Sequence, residues 1–222
     1  MNKLRCRLAF TLIELLVVIA IIAILAGAAM PVYNGVMMNG KQTAAANSAK
    51  QIGLALKMYA NDYDGNYPIN KNTYDENITT SNDAFRSLIP NYVDNEKIFA
   101  VPGSKAGPSA DNQMSDASQI LAKGENHWAF ISGLTSTSNS NWPLVVDHTD
   151  GTGYYTTQEG TLGGTWKGLK AIAVNTDGSA HITPLLGNGT KRYLPRFDDK
   201  SKNALQVSDY MGDDAKLLEP AE

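Results

Sequence analysis

The chain's hydrophobic and polar positions fall into three patterns. From Leu15 to Met30 there is no charged and no strongly polar side chain. With Phe10 to Glu14 added, the stretch reaches 21 residues, about 31 Å as a helix at ~1.5 Å per residue. That matches a bilayer core of roughly 30 Å. Beyond Pro31, Ala45, Ala49, Ile52, Leu56, Tyr59 and Tyr63 recur three or four positions apart. This spacing predicts one apolar face of an amphipathic helix, and Lys41, Lys50, Lys57 and Asn61 fall mostly off it. Pro31, which lacks an N–H, is expected to kink or loosen the helix. Asp64-Gly65-Asn66 and Tyr67-Pro68 stop it. One helix from about Phe10 to Asp62, on the order of 80 Å long, is therefore expected.

The third pattern is mixed. "DAFRSLIPNYVDNEKIF" (83–99) predicts a short helix with Asp83 as N-cap and Pro90 as its end. "WAFISGL" (128–134) and "PLVVD" (143–147) read as strands around a polar loop. "KAIAVNTDGSAHITPLL" predicts a hairpin: Ile172, Val174 and Ile182 flank an Asp177-Gly178 turn. The stretch 198–222 is polar and reads as a mobile tail with one weak helix. No period of 20–50 residues repeats. The expected fold class is α+β, a long N-terminal helix whose outer half lies on an antiparallel sheet. Its parts are a basic leader (1–9), an apolar helix (10–31), its amphipathic continuation (32–64), a sheet domain (65–197) and the tail (198–222).

Composition narrows the function classes. The 222-residue chain is 43% hydrophobic with a formal net charge of -3, which suits one domain plus one apolar segment. Three of its 19 basic residues, Lys3, Arg5 and Arg7, sit in the leader. Without them the remainder carries 16 basic against 22 acidic side chains, a formal -6, so no nucleic-acid partner is expected. The single cysteine, Cys6, allows no intramolecular disulfide. The positive-inside rule places the N-terminus in the cytoplasm and the bulk of the chain outside.

Glu14 is the unusual residue. A carboxylate in hydrocarbon costs about 2.5–3.5 kcal/mol at a helix centre. An ordinary signal peptide with a site at Ala26-Gly27-Ala28 and a plain signal anchor both leave this acid unexplained. Side-by-side packing of many such helices explains it, because each carboxylate then meets a neighbour's cation. The nearest such cation is an α-amine freed by cutting before Phe10.

"LAFTLIELLVVIAIIAILAGAAMP" resembles the N-terminus of type IV pilins and type II secretion pseudopilins. The resemblance implies cleavage between Ala9 and Phe10, with Ala9 where the family usually has Gly. It implies N-methylation of Phe10 by a prepilin peptidase/methylase, an assembly role for Glu14 and a family-type proline at Pro31. It also implies a homo- or hetero-polymer of pilin-like subunits, built by inner-membrane assembly machinery from a single-pass precursor. Phe99-Ala100-Val101-Pro102 stands where related secretion proteins carry Phe-x-Cys-Pro. The Asp177-Gly178 hairpin is similar to the family's Asp-Gly-His-Val type. The missing C-terminal disulfide and this hairpin lean towards a pseudopilus subunit, with a surface pilus subunit or a membrane-anchored binding module as alternatives.

Candidate chemistry is sparse. His127, His148 and His181 have no zinc-site spacing, and surface or capping positions are expected for them. A Ser–His–Asp set can be assembled on paper, but no G-x-S-x-G elbow is present, and no enzyme is expected. Asp147, Asp150 and Asp177 are oxygen donors on loops. Major pseudopilins hold calcium in a C-terminal loop, so calcium is the one cofactor considered, against ordinary Asp turn chemistry. Asn77-Ile-Thr79 and Asn188-Gly-Thr190 fit a glycosylation sequon. Tyr67, Trp128, Trp142 and Trp166 offer either an exposed aromatic patch for a binding module or plain core packing.

Overall fold

The computed structural model describes residues 11–114, 116 and 119–221. The apolar and amphipathic stretches form one helix, α1 (Leu12–Asp62), which runs through Pro31. The chain divides into two compact units, one through Lys41 and one from Gln42 onward.

In the second unit, α1 buries the stripe read from its period: Ala45, Ala49, Ile52, Leu56 and Tyr59. Ala55, Ala60 and Gln42 join it. Tyr63 departs from the expected stripe. It is 44% exposed and stacks on Tyr59 at 4.1 Å between ring centroids. Gly53 faces the sheet, and a Cβ there would lie 2.5 Å from Val174 Cγ1. The missing side chain is what lets the backbone approach so closely. The helix stops where Asp64 and Gly65 adopt φ of 53° and 84°, with Gly65 N–H donating to the Ala60 carbonyl at 2.7 Å.

The next elements are α2 (Ser81–Arg86), a 3₁₀ turn (Glu96–Phe99), β1 (Trp128–Ser132), β2 (Pro143–Asp147) and β3 (Tyr155–Thr156). They are followed by β4 (Lys170–Asn175), β5 (Ala180–Pro184), β6 (Lys191–Arg192), α3 (Val207–Met211) and β7 (Lys216–Leu218). The main sheet has the order β5-β4-β2-β1-β7, and β3 pairs with β6 in a second ribbon. All pairs are antiparallel. Every residue of β1 and β2 is buried. Continuous rather than alternating burial means that both faces of these strands are covered. Phe85 of α2 meets Phe130 of β1 edge-on at 5.7 Å and Phe99 at 5.2 Å, forming the aromatic centre of the core.

Two sequence expectations change here. Thr80, not Asp83, is the N-cap of α2. Asp83 sits three residues in, and its Oδ2 accepts the Thr80 N–H at 2.8 Å in a capping box. The C-terminal stretch is not a free tail. Besides α3 it supplies β7, an edge strand in register with β1 (Phe130↔Leu218, Ile131↔Leu217, Ser132↔Lys216). Ser81 N–H donates to the Glu219 carbonyl at 3.0 Å, and Ala221 N–H donates to Asn82 Oδ1 at 3.0 Å. An edge strand is held by backbone pairing on one side only, so three residues within a mostly polar stretch can fill it.

Candidate functional site

The N-terminal segment places its functional groups by simple rules. Thr11 precedes the first helical residue. Its N–H and Oγ1 donate to Glu14 Oε2 at 2.9 and 2.8 Å, and Glu14 N–H donates to Thr11 Oγ1 at 3.3 Å. This is a capping box: each residue satisfies a donor that the first helical turn leaves orphaned. The carboxylate also sits at the positive end of the helix dipole. The Thr-x-x-Glu pattern ahead of an apolar run was the sequence signal for it, and the reading of Glu14 as an assembly residue alone passed over it. Ala9 and Phe10, the processing residues, lie outside the described residues, as do Lys3, Arg5, Cys6 and Arg7. Pro31 is helical in its backbone.

Leu12–Met30, 19 residues, is long and apolar enough to cross a membrane. At ~1.5 Å per residue it spans about 28 Å. Each of its side chains is exposed. A continuous apolar surface of this size calls for lipid or for neighbouring helices.

The second unit holds a buried polar centre. Asp147 Oδ1 meets His127 Nε2 at 2.6 Å, and Asp147 Oδ2 accepts Trp166 Nε1–H at 2.9 Å and Ile172 N–H at 2.5 Å. His127 Nδ1 meets Ser104 Oγ at 2.7 Å. Ser104 Oγ in turn accepts the N–H groups of Ala106 and Gly107 at 3.2 and 3.3 Å. Its own proton is thus directed to Nδ1, and His127 donates from Nε2 to Asp147. A Ser–His–Asp chain does form, through residues 104, 127 and 147, but Ser104 is only 6% exposed and the other two are buried. The arrangement ties loop to sheet.

His127 and His148 are core residues, contrary to the surface positions expected for them; His181 is exposed. His148 Nδ1 accepts Gly163 N–H at 3.2 Å, and Nε2 meets Thr165 Oγ1 at 3.1 Å. Burial, aided by the neighbouring His127, pushes its pKa down to about 3. The unfolded chain, with an ordinary pKa near ~6.5, binds a proton that the fold refuses. Stability from this group is therefore complete above about pH 6.5 and falls as pH drops towards 3, by about 1.4 kcal/mol per unit. Thermal unfolding from pH 7 to pH 5 is expected to show this slope in the wild type and to lose it in His148→Gln. Superimposed slopes would show that His148 is not buried as the neutral ring.

The three aspartates considered for calcium are each engaged elsewhere. Asp147 has both oxygens in the buried centre. Asp150 Oδ1 accepts from Thr152 N–H, Thr152 Oγ1 and Tyr154 N–H. Asp177 Oδ1 accepts Ser179 N–H at 2.7 Å in the hairpin turn, and the Ser179 hydroxyl and N–H hold its carboxyl below the usual range. These are turn and core roles. The exposed aromatic patch is absent: Tyr67, Trp128 and Trp166 are buried, and Trp142 is half-buried against Tyr210.

Residues 4–30 match the family model described as the prokaryotic N-terminal methylation motif. No curated protein and no solved structure matches the chain. The motif supports a type IV pilin or pseudopilin family for the chain. It also supports a pilin-like subunit processed by prepilin peptidase and polymerisation with other pilin subunits. Together with the apolar helix it fits single-pass anchoring in the inner membrane.

Proposed function

We propose that the protein is a subunit of a type II secretion pseudopilus. The observation that carries this reading is the fully exposed apolar surface of Leu12–Met30, which lies within the methylation motif. Prepilin peptidase cuts between Ala9 and Phe10, and Phe10 is N-methylated. The basic leader faces the cytoplasm and the sheet domain faces the periplasm. Assembly moves the helix from lipid into a bundle of like helices, where packing replaces lipid contact. Glu14 then pairs with the α-amine of Phe10 on a neighbour. Extension of the filament depends on the inner-membrane assembly machinery.

The β4–β5 hairpin at Asp177-Gly178 and the single cysteine favour the secretion type over a surface pilus. Deleting the gene is expected to stop export of folded extracellular enzymes while surface filaments persist. Loss of surface filaments with normal export would assign the subunit to a type IV pilus. Normal export and normal filaments would favour a membrane-anchored binding module.

A further inference from the structure

Three acids converge in the second unit. Glu96 opens the 3₁₀ turn. Asp111 lies on the irregular stretch that follows, and Glu125 sits in the turn before β1. Each offers a carboxylate oxygen, and these oxygens all lie within 4.8 Å of one another. That is the diameter of a calcium–oxygen shell of about 2.4 Å radius.

The acids are held in place by backbone groups. Leu121 N–H donates to Glu96 Oε1 at 2.8 Å. Asp111 N–H and Ala122 N–H donate to Glu125 Oε1 and Oε2 at 3.1 and 2.7 Å. Gln113 N–H donates to Asp111 Oδ1 at 2.8 Å. One atom is left over. Glu96 is fully buried, and among the described residues its Oε2 has no hydrogen-bond partner. A buried carboxylate oxygen without a partner is costly. Among the described residues, no Lys, Arg or His lies within ion-pair distance of any of the three acids. Burial first, and then the charges of Glu125 and Asp111, raise the Glu96 pKa, as expected when like charges share a site without a counter-ion.

We propose that Glu96, Asp111 and Glu125 bind a calcium ion. All three donors are hard oxygens, one at the start of a 3₁₀ turn and two on irregular backbone, which suits the flexible, high-coordination shell of calcium better than the rigid octahedron of magnesium. The site has a structural use. Between Phe99 and Trp128 the chain has no helix or strand among the described residues, an unusually long irregular connection. Glu96 stands before that connection, Asp111 within it and Glu125 at its end, so one ion clamps it at three points. The inference holds whether or not the subunit polymerises in a pseudopilus.

The test uses the full chain in detergent, unfolded thermally in EDTA or with about 5 mM calcium chloride, above the weak-site range of extracellular modules. Calcium is expected to raise Tm by about 5 °C or more and to protect residues 100–127 from limited proteolysis. Magnesium at the same concentration is expected to do much less. Glu96→Gln is expected to abolish the calcium shift while matching or exceeding the wild-type Tm in EDTA, because it removes a buried charge. Glu125→Gln, at a half-buried position, is expected to weaken the shift without touching the core. No shift in the wild type, an equal shift with magnesium, or a full shift in Glu96→Gln would each overturn the assignment.

Discussion

Glu14→Gln is expected to reach the membrane fraction at wild-type abundance and to be missing from filaments sheared from cells overexpressing the assembly system. Glutamine keeps the capping-box acceptor that Thr11 uses, so the start of α1 is preserved. What it loses is the charge. In a packed filament, removing one partner of a buried ion pair costs about 3–5 kcal/mol, because the other charge stays behind uncompensated. Even the lower value weakens association on the order of a hundredfold. A single helix in lipid has no such partner and loses nothing. Thr11→Ala supplies the converse: the cap is gone, at about 1 kcal/mol, and the carboxylate remains, so filament yield should stay close to wild type. Glu14→Asp should be intermediate at best, since the carboxylate is drawn back by one methylene. Normal yield from Glu14→Gln would remove the ion pair as the assembly determinant. A Thr11→Ala defect as deep as that of Glu14→Gln would show that capping is what assembly requires.

Asp147→Ala is expected to have the largest effect on the fold. It strands His127, the Trp166 indole N–H and the Ile172 N–H, all buried. Loss of a buried charged partner of this kind costs about 3–5 kcal/mol. At about 2–4 °C per kcal/mol for a domain of this size, Tm should fall by about 10 °C or more. Asp147→Asn keeps the volume but turns a donor towards groups that already donate, so it should also be strongly destabilised. Ser104→Ala removes one hydroxyl and should cost only about 1 kcal/mol. Thermal unfolding of the full-length variants in detergent reads all three. A Tm for Asp147→Asn within about 2 °C of wild type would mean that Asp147 matters by its shape and not by its hydrogen bonds.

The parts of the fold that were legible in the sequence are those encoded locally. Ala45 to Tyr59 announce their face by helical period. Pro143–Asp147 and the Asp177-Gly178 hairpin announce themselves by apolar runs bounded by turn residues. The long apolar segment and its single acid were legible for the same reason, and the methylation motif covers that same stretch. The buried polar centre was not. Ser104 and Asp147 lie 23 and 20 residues from His127, and no periodicity relates them. Histidine and aspartate on loops look alike in sequence whether they end at the surface or in the core. The same applies to Glu96, Asp111 and Glu125, which come together only because an irregular connection folds back on itself. β7, Lys-Leu-Leu, is too short to carry a strand pattern, and its identity comes from the neighbour it pairs with.

That pairing bears on the order of events in the cell. Lys216 is added to the chain 84 positions after Ser132, so β1 stays unpaired on one side until that later segment has been made. Until then the Trp-Ala-Phe-Ile-Ser strand shows an open, apolar edge, the kind of template on which other chains stack. Lys216–Leu218 therefore act as a closing seal. A chain that lacks residues 216–218, or in which they are held away from β1, would leave that edge unguarded.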